Sequence, residues 1–251
     1  MKKNNIINYY DNIYEEDGRL SNGCDNRHIV EREVKLNIYR KILSTYPKGI
    51  SILDISCGTG LYSIELSKMG YDVFACDLCS KHVDILNNNS KSLKLSIKAD
   101  VCDARYLPYR HNSFDFVILA GAIYHLQPEE KVKAINEAIS VCKVGGNILI
   151  DFLPKLHSLY QNVARYGETE LELDDIFSYD SKTDMKTYLN NNVALEGFYS
   201  TDGITRLIEY KVNNMTKEQL DSYISFCVKN STNQEIVDMS EHAIMDIIKI
   251  K

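Results

Sequence analysis

Residues 50–77 read ISILDISCGTGLYSIELSKMGYDVFACD, and this stretch decides the fold. The apolar run Ile50 to Ile55 breaks into Ser56-Cys-Gly-Thr-Gly60. After it, Leu61, Ile64, Leu66 and Met69 recur at helical spacing, and Tyr71 to Asp77 reads as a second strand. Strand, glycine turn, helix and strand in that order form the unit of a parallel sheet covered on both faces.

Working outward, the same rhythm continues. Ser80 is placed as an N-cap before a helix over Val83 to Asn89, and Leu95 to Asp100 as a third strand. Phe114 to Ala120 is a fourth strand, Pro128 opens a helix reaching Cys142, and Gly145-Gly146 turns into a strand over Asn147 to Phe152. Upstream, Glu31 to Leu43 carries Val34, Ile38, Tyr39 and Ile42 at helical spacing. Downstream, Val193 to Thr201 and Ala243 to Ile250 read as two late strands. Between them lies a helix whose start, Thr216-Lys-Glu-Gln219, is a capping box, and its stripe of Leu220, Ile224 and Val228 is expected to pack on those strands. The Asn runs at 87–89 and 190–192 are expected in surface turns.

Composition bounds what such a chain can do. With 251 residues, 44% hydrophobic, 25% charged, 12 Gly and 4 Pro, it is expected to bury a sizeable core as one large domain, and it is neither collagen-like nor disordered. Lys and Arg total 29 against 35 Asp and Glu, a formal charge of -6, so the global basic bias that a phosphate backbone attracts is missing. From this the expectation is no nucleic-acid partner. No apolar run reaches the roughly 18 residues of a membrane span, so a cytoplasmic protein without a membrane partner is expected. The 7 cysteines are an odd number and suit reduced, buried thiols; Cys76-Asp-Leu-Cys79 lacks the second pair that a zinc site requires, so no metal is expected.

In an open parallel sheet, ligands bind beyond the carboxyl ends of the strands. The first end presents Asp54 and a loop in which Gly58 and Gly60 permit close backbone approach, with helix N–H groups available to an anionic group. Asp77, ending the second strand, can accept both hydroxyls of a ribose. Asp103, after the third, can accept from the exocyclic amine of adenine. A nucleoside-shaped site follows. A dinucleotide fingerprint wants a further glycine three residues after Gly60, where Ser63 stands, and this disfavours NAD.

The segments Ile52-Leu-Asp-Ile-Ser-Cys-Gly-Thr-Gly60, Ala75-Cys-Asp77, Cys102-Asp-Ala-Arg-Tyr-Leu-Pro-Tyr109, Ser113-Phe-Asp-Phe-Val117 and Cys142-Lys-Val-Gly-Gly-Asn-Ile-Leu149, in this order, resemble class I S-adenosylmethionine-dependent methyltransferases. More faintly, Tyr9-Tyr-Asp11 and Ser240-Glu-His-Ala-Ile244 are similar to bacterial small-molecule methyltransferases of that class. The resemblance implies a Rossmann-like, doubly wound, mostly parallel seven-stranded sheet with its last strands antiparallel. It implies one domain over 1–251: an N-terminal lid and helix over 1–47, a cofactor-binding core over 48–153, and a substrate cap with the last strands over 154–251. S-adenosylmethionine would be the cofactor and S-adenosylhomocysteine its product. Asp54, Ser56, Gly58 and Gly60 would cradle the methionine part and Asp77 the ribose; Leu78, Asp103 and Ala104 would surround the adenine, and Ala120 and Gly121 would lie beside the sulfonium. Ser56 replaces the first loop glycine of the family pattern, and Val144 replaces a proline commonly found before the paired glycines.

Methyl transfer from a sulfonium is an in-line displacement, so catalysis is mainly positioning, and holding the acceptor about 3–3.5 Å from the methyl carbon supplies roughly 7–11 kcal/mol. A base is optional. His125, just past the fourth strand, is the candidate base, with Tyr124 beside it as wall or helper; the structural alternative is a histidine that orders its own loop. Tyr9, Tyr10 and Tyr14 are expected to close the acceptor pocket from the N-terminal side, where Asp17 and Arg19 also lie; the structural alternative is a surface-packing helix with amphipathic tyrosines. The acidic residues Glu168, Glu170, Glu172, Asp174 and Asp175 read as a solvated face. The fourth strand runs into Leu119-Ala-Gly-Ala-Ile123 rather than the Asn/Asp-Pro-Pro-Tyr motif of resembling amine methyltransferases, which argues against base and amide nitrogens as acceptors. The leading expectation is therefore a small-molecule acceptor; an RNA or ribosome methyltransferase and a non-catalytic binder of the methyl donor are the alternatives.

Overall fold

The computed structural model of the chain describes residues 3–12, 25–166 and 176–251. Its sheet has seven strands: β1 (Ser51–Ile55), β2 (Asp72–Asp77), β3 (Lys98–Val101), β4 (Phe114–Leu119), β5 (Cys142–Phe152), β6 (Val193–Ser200) and β7 (Ala243–Lys249). Their order is β3-β2-β1-β4-β5-β7-β6. The expected sheet is present, with one refinement at its edge. β7 runs antiparallel to both β5 and β6, so β6 itself points the same way as the rest. The order reverses between β1 and β4, and such a reversal leaves a crevice above the strand tips.

Ten α-helices cover the sheet: α1 (Lys3–Asn12), α2 (Asn26–Leu43), α3 (Leu61–Lys68), α4 (Ser80–Ser92), α5 (Pro128–Val141), α6 (Lys155–Tyr166), α7 (Lys182–Thr187), α8 (Glu209–Asn213), α9 (Lys217–Lys229) and α10 (Gln234–Met239), counted among the described residues. β1, β4 and β5 are buried on both faces, which is why their sequences read as apolar runs instead of alternating ones. One face packs Leu53, Val117 and Ile148 against Ala134, Ile135 and Ala138 of α5. The other packs Ile52, Phe116 and Leu149 against Val30, Val34, Ile38 and Tyr39 of α2. At about 25 cal/mol per Å² of apolar surface removed from water, these two layers carry most of the fold's stability.

Several sequence expectations shift. The Asn run at 87–89 lies inside α4, where the buried stripe His82, Val83, Leu86 and Ser90 overrides the weak helix propensity of asparagine. The strand expected to start at Asn147 starts at Cys142, with Gly145 and Gly146 inside it. A Cβ at Gly146 would lie 2.5 Å from the Asp115 carbonyl oxygen, while Gly145 takes a left-handed φ of +86° where the pairing with β4 shifts register, so Gly146 serves a close strand approach and Gly145 a bulge. The N-cap of α4 is Cys79 instead of Ser80. Leu220 of α9 is buried in the layer that α2 lines, and α9 packs mainly against α2 instead of against the late strands. Cys24, Asp17, Arg19 and the acidic residues from Glu168 to Asp175 lie outside the described residues.

Candidate active site

The loop after β1 is built on left-handed backbone. Ser56 has φ +63°, Gly58 +54° and Gly60 +93°. For a non-glycine residue this region costs roughly 1–2 kcal/mol, which explains why the family pattern has glycine where this chain has Ser56. Gly60 has a second reason: a Cβ there would lie 2.2 Å from Leu86 Cδ1. The turn carries the chain straight onto α3 and presents Gly58 toward β2.

Asp77 is held by that loop. The Gly58 N–H donates to Asp77 Oδ2 at 2.9 Å, the Cys79 N–H donates to Oδ1 at 2.8 Å, and His82 Nδ1 lies 3.5 Å from Oδ1. Only 8% exposed, the carboxylate is fixed in place by backbone donors. Asp54 accepts from Ser63 Oγ at 2.6 Å. Asp103 is gripped by Arg105, whose Nε and Nη2 lie 2.9 and 2.7 Å from its two oxygens, and Arg105 also reaches Glu130. Asp54, Ser56, Gly58, Asp77, Leu78, Asp103, Ala104, Ala120 and Gly121 all line one cavity of about 980 Å³; Gly60 does not line it and packs against Leu86 instead.

Tyr124 joins the strand tips to the rest of that cavity. A Cβ on Gly121 would lie 3.5 Å from the Tyr124 hydroxyl and 3.8 Å from the Ser56 carbonyl oxygen, so the phenol sits directly over the loop. Its ring is 6.1 Å from Phe177 at a 34° tilt and 6.1 Å from His242. From the other side α1 contributes Ile6, Ile7, Tyr9 and Tyr10 to the lining. Tyr10 stands edge-on to both His82 and His125. Tyr14 lies outside the described residues.

His125 is buried and engaged at both nitrogens. Nδ1 lies 2.7 Å from the Ile176 carbonyl oxygen, which can only accept, so Nδ1 carries the proton; Nε2 then accepts from the Tyr10 hydroxyl at 2.7 Å. The arrangement orders residues 123–125 and ties α1 to them.

Sequence reasoning missed most of the far half of the cavity: apart from Glu241 and His242 in the Ser240–Ile244 segment, its residues come from helices and loops without a motif. Lys35 of α2 lies 2.6 Å from Asp151 at the tip of β5 and 3.1 Å from Glu31. Burial works against the Lys35 charge, but Asp151, Tyr62 and Glu31 outweigh it and hold the ammonium well above its ordinary pKa. Behind it, Arg27 and Arg206 each meet Glu209 and Glu241, with N···O distances from 2.6 to 3.7 Å. Burial opposes ionisation of Glu241, yet His242, Arg27 and Arg206 keep its carboxyl below the usual range. His157 and Gln161 of α6 complete this wall. Among the described residues no cluster of His, Cys, Asp and Glu is arranged to hold a metal ion, and no helix is long and apolar enough to cross a membrane.

Residues 52–146 match the methyltransferase-domain family. Over 112 residues, 44% of this chain, the sequence is 34% identical to a protein named probable tRNA methyltransferase 9B from Homo sapiens, of which the match covers 23%. Over 141 residues, 56% of this chain, it is 28% identical to tRNA (carboxymethyluridine(34)-5-O)-methyltransferase from Saccharomyces cerevisiae, covering 47% of that protein. The chain thus spans less than half the length of these curated relatives. Among solved structures, magnesium protoporphyrin IX methyltransferase from Synechocystis with bound SAH superposes with a TM-score of 0.66 at 15% identity, covering 99% of this chain and 100% of that one. These relatives correct the expectation of a small-molecule acceptor with no nucleic acid: the curated proteins are named for methylation of tRNA, and those two come from eukaryotes, not bacteria. Arg27, Arg32, Lys35, Arg105 and Arg206 line the cavity together with Glu31, Asp77, Asp103, Asp151 and Glu241, and most of these cations are paired with acids, so the relatives and not a basic lining overturn that expectation.

Proposed function

We propose, from the premise that the core of this chain is a class I S-adenosylmethionine-dependent methyltransferase domain, that the protein methylates a carboxylate oxygen carried on an RNA nucleotide. The observation that carries this reading is the single cavity that runs from the tips of β1, β2 and β3 to an aromatic-walled chamber beyond Tyr124. A pocket for one ligand occupies roughly 300–1,000 Å³. At about 980 Å³ this one lies at the upper end and suits a donor and a second partner side by side.

The donor set fits an adenosyl group. Acceptor carboxylates from Asp77 and Asp103 open on the same space as the Ser56–Gly58 backbone, with Leu78 and Ala104 as apolar walls. Asp77, braced by two backbone N–H groups, keeps outward lone pairs for a ribose diol. When bound, S-adenosylmethionine supplies a methyl group on a positively charged sulfur. Ala120 and Gly121 would flank that sulfur, and the Tyr124 phenol, over Gly121, would separate it from the chamber. Tyr9 and Tyr10 would close the cavity above it and exclude water.

A carboxylate acceptor also suits the state of His125. With an ordinary pKa near 4, such a group is already deprotonated at neutral pH and needs no base. His125, bonded to Ile176 and Tyr10, then serves as a strut that positions α1. The test is transfer from methyl-labelled S-adenosylmethionine to total tRNA and, in parallel, to free carboxylic acids. Label in RNA that mild alkali releases is expected, since a methyl ester hydrolyses there. RNA that stays unlabelled refutes the acceptor class, and alkali-stable label refutes the carboxylate.

A further inference from the structure

The far wall of the cavity has a polarity that the reaction does not explain. His157 and Gln161 lie one turn apart on α6, so they share a face, and both line the cavity. His157 Nδ1 lies 2.7 Å from the Met239 carbonyl oxygen. A carbonyl only accepts, so Nδ1 bears the proton and Nε2 is left as a bare acceptor whenever the ring is neutral. The ring is 3% exposed, and burial holds its pKa below the usual histidine value. Glu241, His242 and Arg206 are the charged or titratable neighbours that face it. Neither His157 Nε2 nor the Gln161 amide makes a hydrogen bond to another described residue. An acceptor fixed in orientation on a cavity wall, with an amide one helical turn away, offers a pair of groups to a ligand.

On the RNA reading above, we propose that this wall reads the edge of a nucleobase turned out of its stack into the chamber. His157 Nε2 accepts from a ring N–H, and the Gln161 amide meets the adjoining carbonyl. The aromatic faces of Tyr124 and Phe177 form the neighbouring wall, on which a flat base can lie. The pairing selects uracil-type and guanine-type bases, which carry a ring N–H next to a carbonyl. Adenine and cytosine present a bare ring nitrogen at that edge, which would set lone pair against lone pair.

The test uses a synthetic RNA stem–loop carrying 5-carboxymethyluridine in its loop, and the same RNA methylated at N3 of that uridine. With the unaltered protein, N3 methylation is expected to lower kcat/KM about 10- to 100-fold, the loss of one buried donor–acceptor pair. In His157→Ala the unmethylated RNA loses a comparable factor, and N3 methylation costs little more; Gln161→Ala shows the same trend more weakly. His157→Asn, which keeps an acceptor, is expected to restore part of the discrimination and serves if the alanine variant does not fold. Titration of each variant with S-adenosylhomocysteine checks that the donor side is intact. If protein and His157 variants discriminate equally, or the unaltered protein does not discriminate, the base-reading role is overturned while the RNA reading stands. If neither RNA is methylated, the RNA reading falls and takes this inference with it.

Discussion

Replacing Asp77 by alanine separates the account's binding claim from the fold that supports it. The carboxylate accepts two backbone N–H bonds, from Gly58 at 2.9 Å and Cys79 at 2.8 Å, and its outward lone pairs are assigned to the ribose diol. A hydrogen bond to a charged group contributes about 1.5–3 kcal/mol net. In the variant, water entering the space returns part of this to the hydroxyls, so a net loss of about 1.4–2.8 kcal/mol is expected, a ten- to hundredfold rise in Kd for donor and product alike. Removing the acceptor also leaves the Gly58 and Cys79 N–H groups without their partner, at about 1–3 kcal/mol of stability. Calorimetric titration with S-adenosylmethionine and S-adenosylhomocysteine, alongside a thermal melt, measures both effects. A lowered Tm with Kd unchanged to within about twofold would refute the reasoning, since Asp77 would then brace the loop without touching the ligand.

Other consequences follow from single contacts. Gly60→Ala combines a positive φ of +93° with a Cβ 2.2 Å from Leu86 Cδ1, and about 2–5 kcal/mol of destabilisation is expected in a denaturant melt. Lys35→Met takes the lysine from Asp151 and Glu31 in the interior and is expected to cost about 3–5 kcal/mol; adding Asp151→Leu should return part of that, Glu31 still lacking its lysine, which urea unfolding of single and double variants would show. Burial raises the Asp246 pKa from 3.8 to about 6 in the folded protein, so its contribution is complete below pH about 4 and is lost as pH rises through 6. Relative to Asp246→Asn, the unaltered protein should therefore gain roughly 2 kcal/mol of stability between pH 7 and pH 4, read from paired melts. Deleting residues 1–20 removes Tyr9 and Tyr10 from the cavity and should abolish turnover in the labelled-methyl assay.

How much of this could be read from the sequence depended on whether a residue's role is local. The strand–glycine–helix unit at residues 50–77 and the acids at the strand ends follow from periodicity and turn chemistry, and the structure brings Asp54, Gly58, Asp77 and Asp103 to one cavity as that pattern requires. Segment boundaries were less legible. Gly145-Gly146 resembles a turn in one dimension, and only the structure shows a bulge at Gly145 and the approach of the Asp115 carbonyl to Gly146 inside one strand. Of the far wall only the Ser240–Ile244 segment with Glu241 stood out: Arg27, His157 and Arg206 are separated from it along the chain and meet it only because α2, α6 and the segment around 206 converge there. His125 was visible, but its engagement was not, since the Ile176 carbonyl and the Tyr10 hydroxyl that fix its tautomer are distant in sequence.

A crystal structure of the protein with S-adenosylhomocysteine bears on the central claim most directly. The ribose hydroxyls are expected on Asp77, the adenine between Leu78 and Ala104 near Asp103, and the sulfur beside Gly121 and the Tyr124 phenol, facing the chamber lined by His157 and Gln161. Density for the product elsewhere on the molecule, or in this cavity with its sulfur turned away from Tyr124, would contradict that placement.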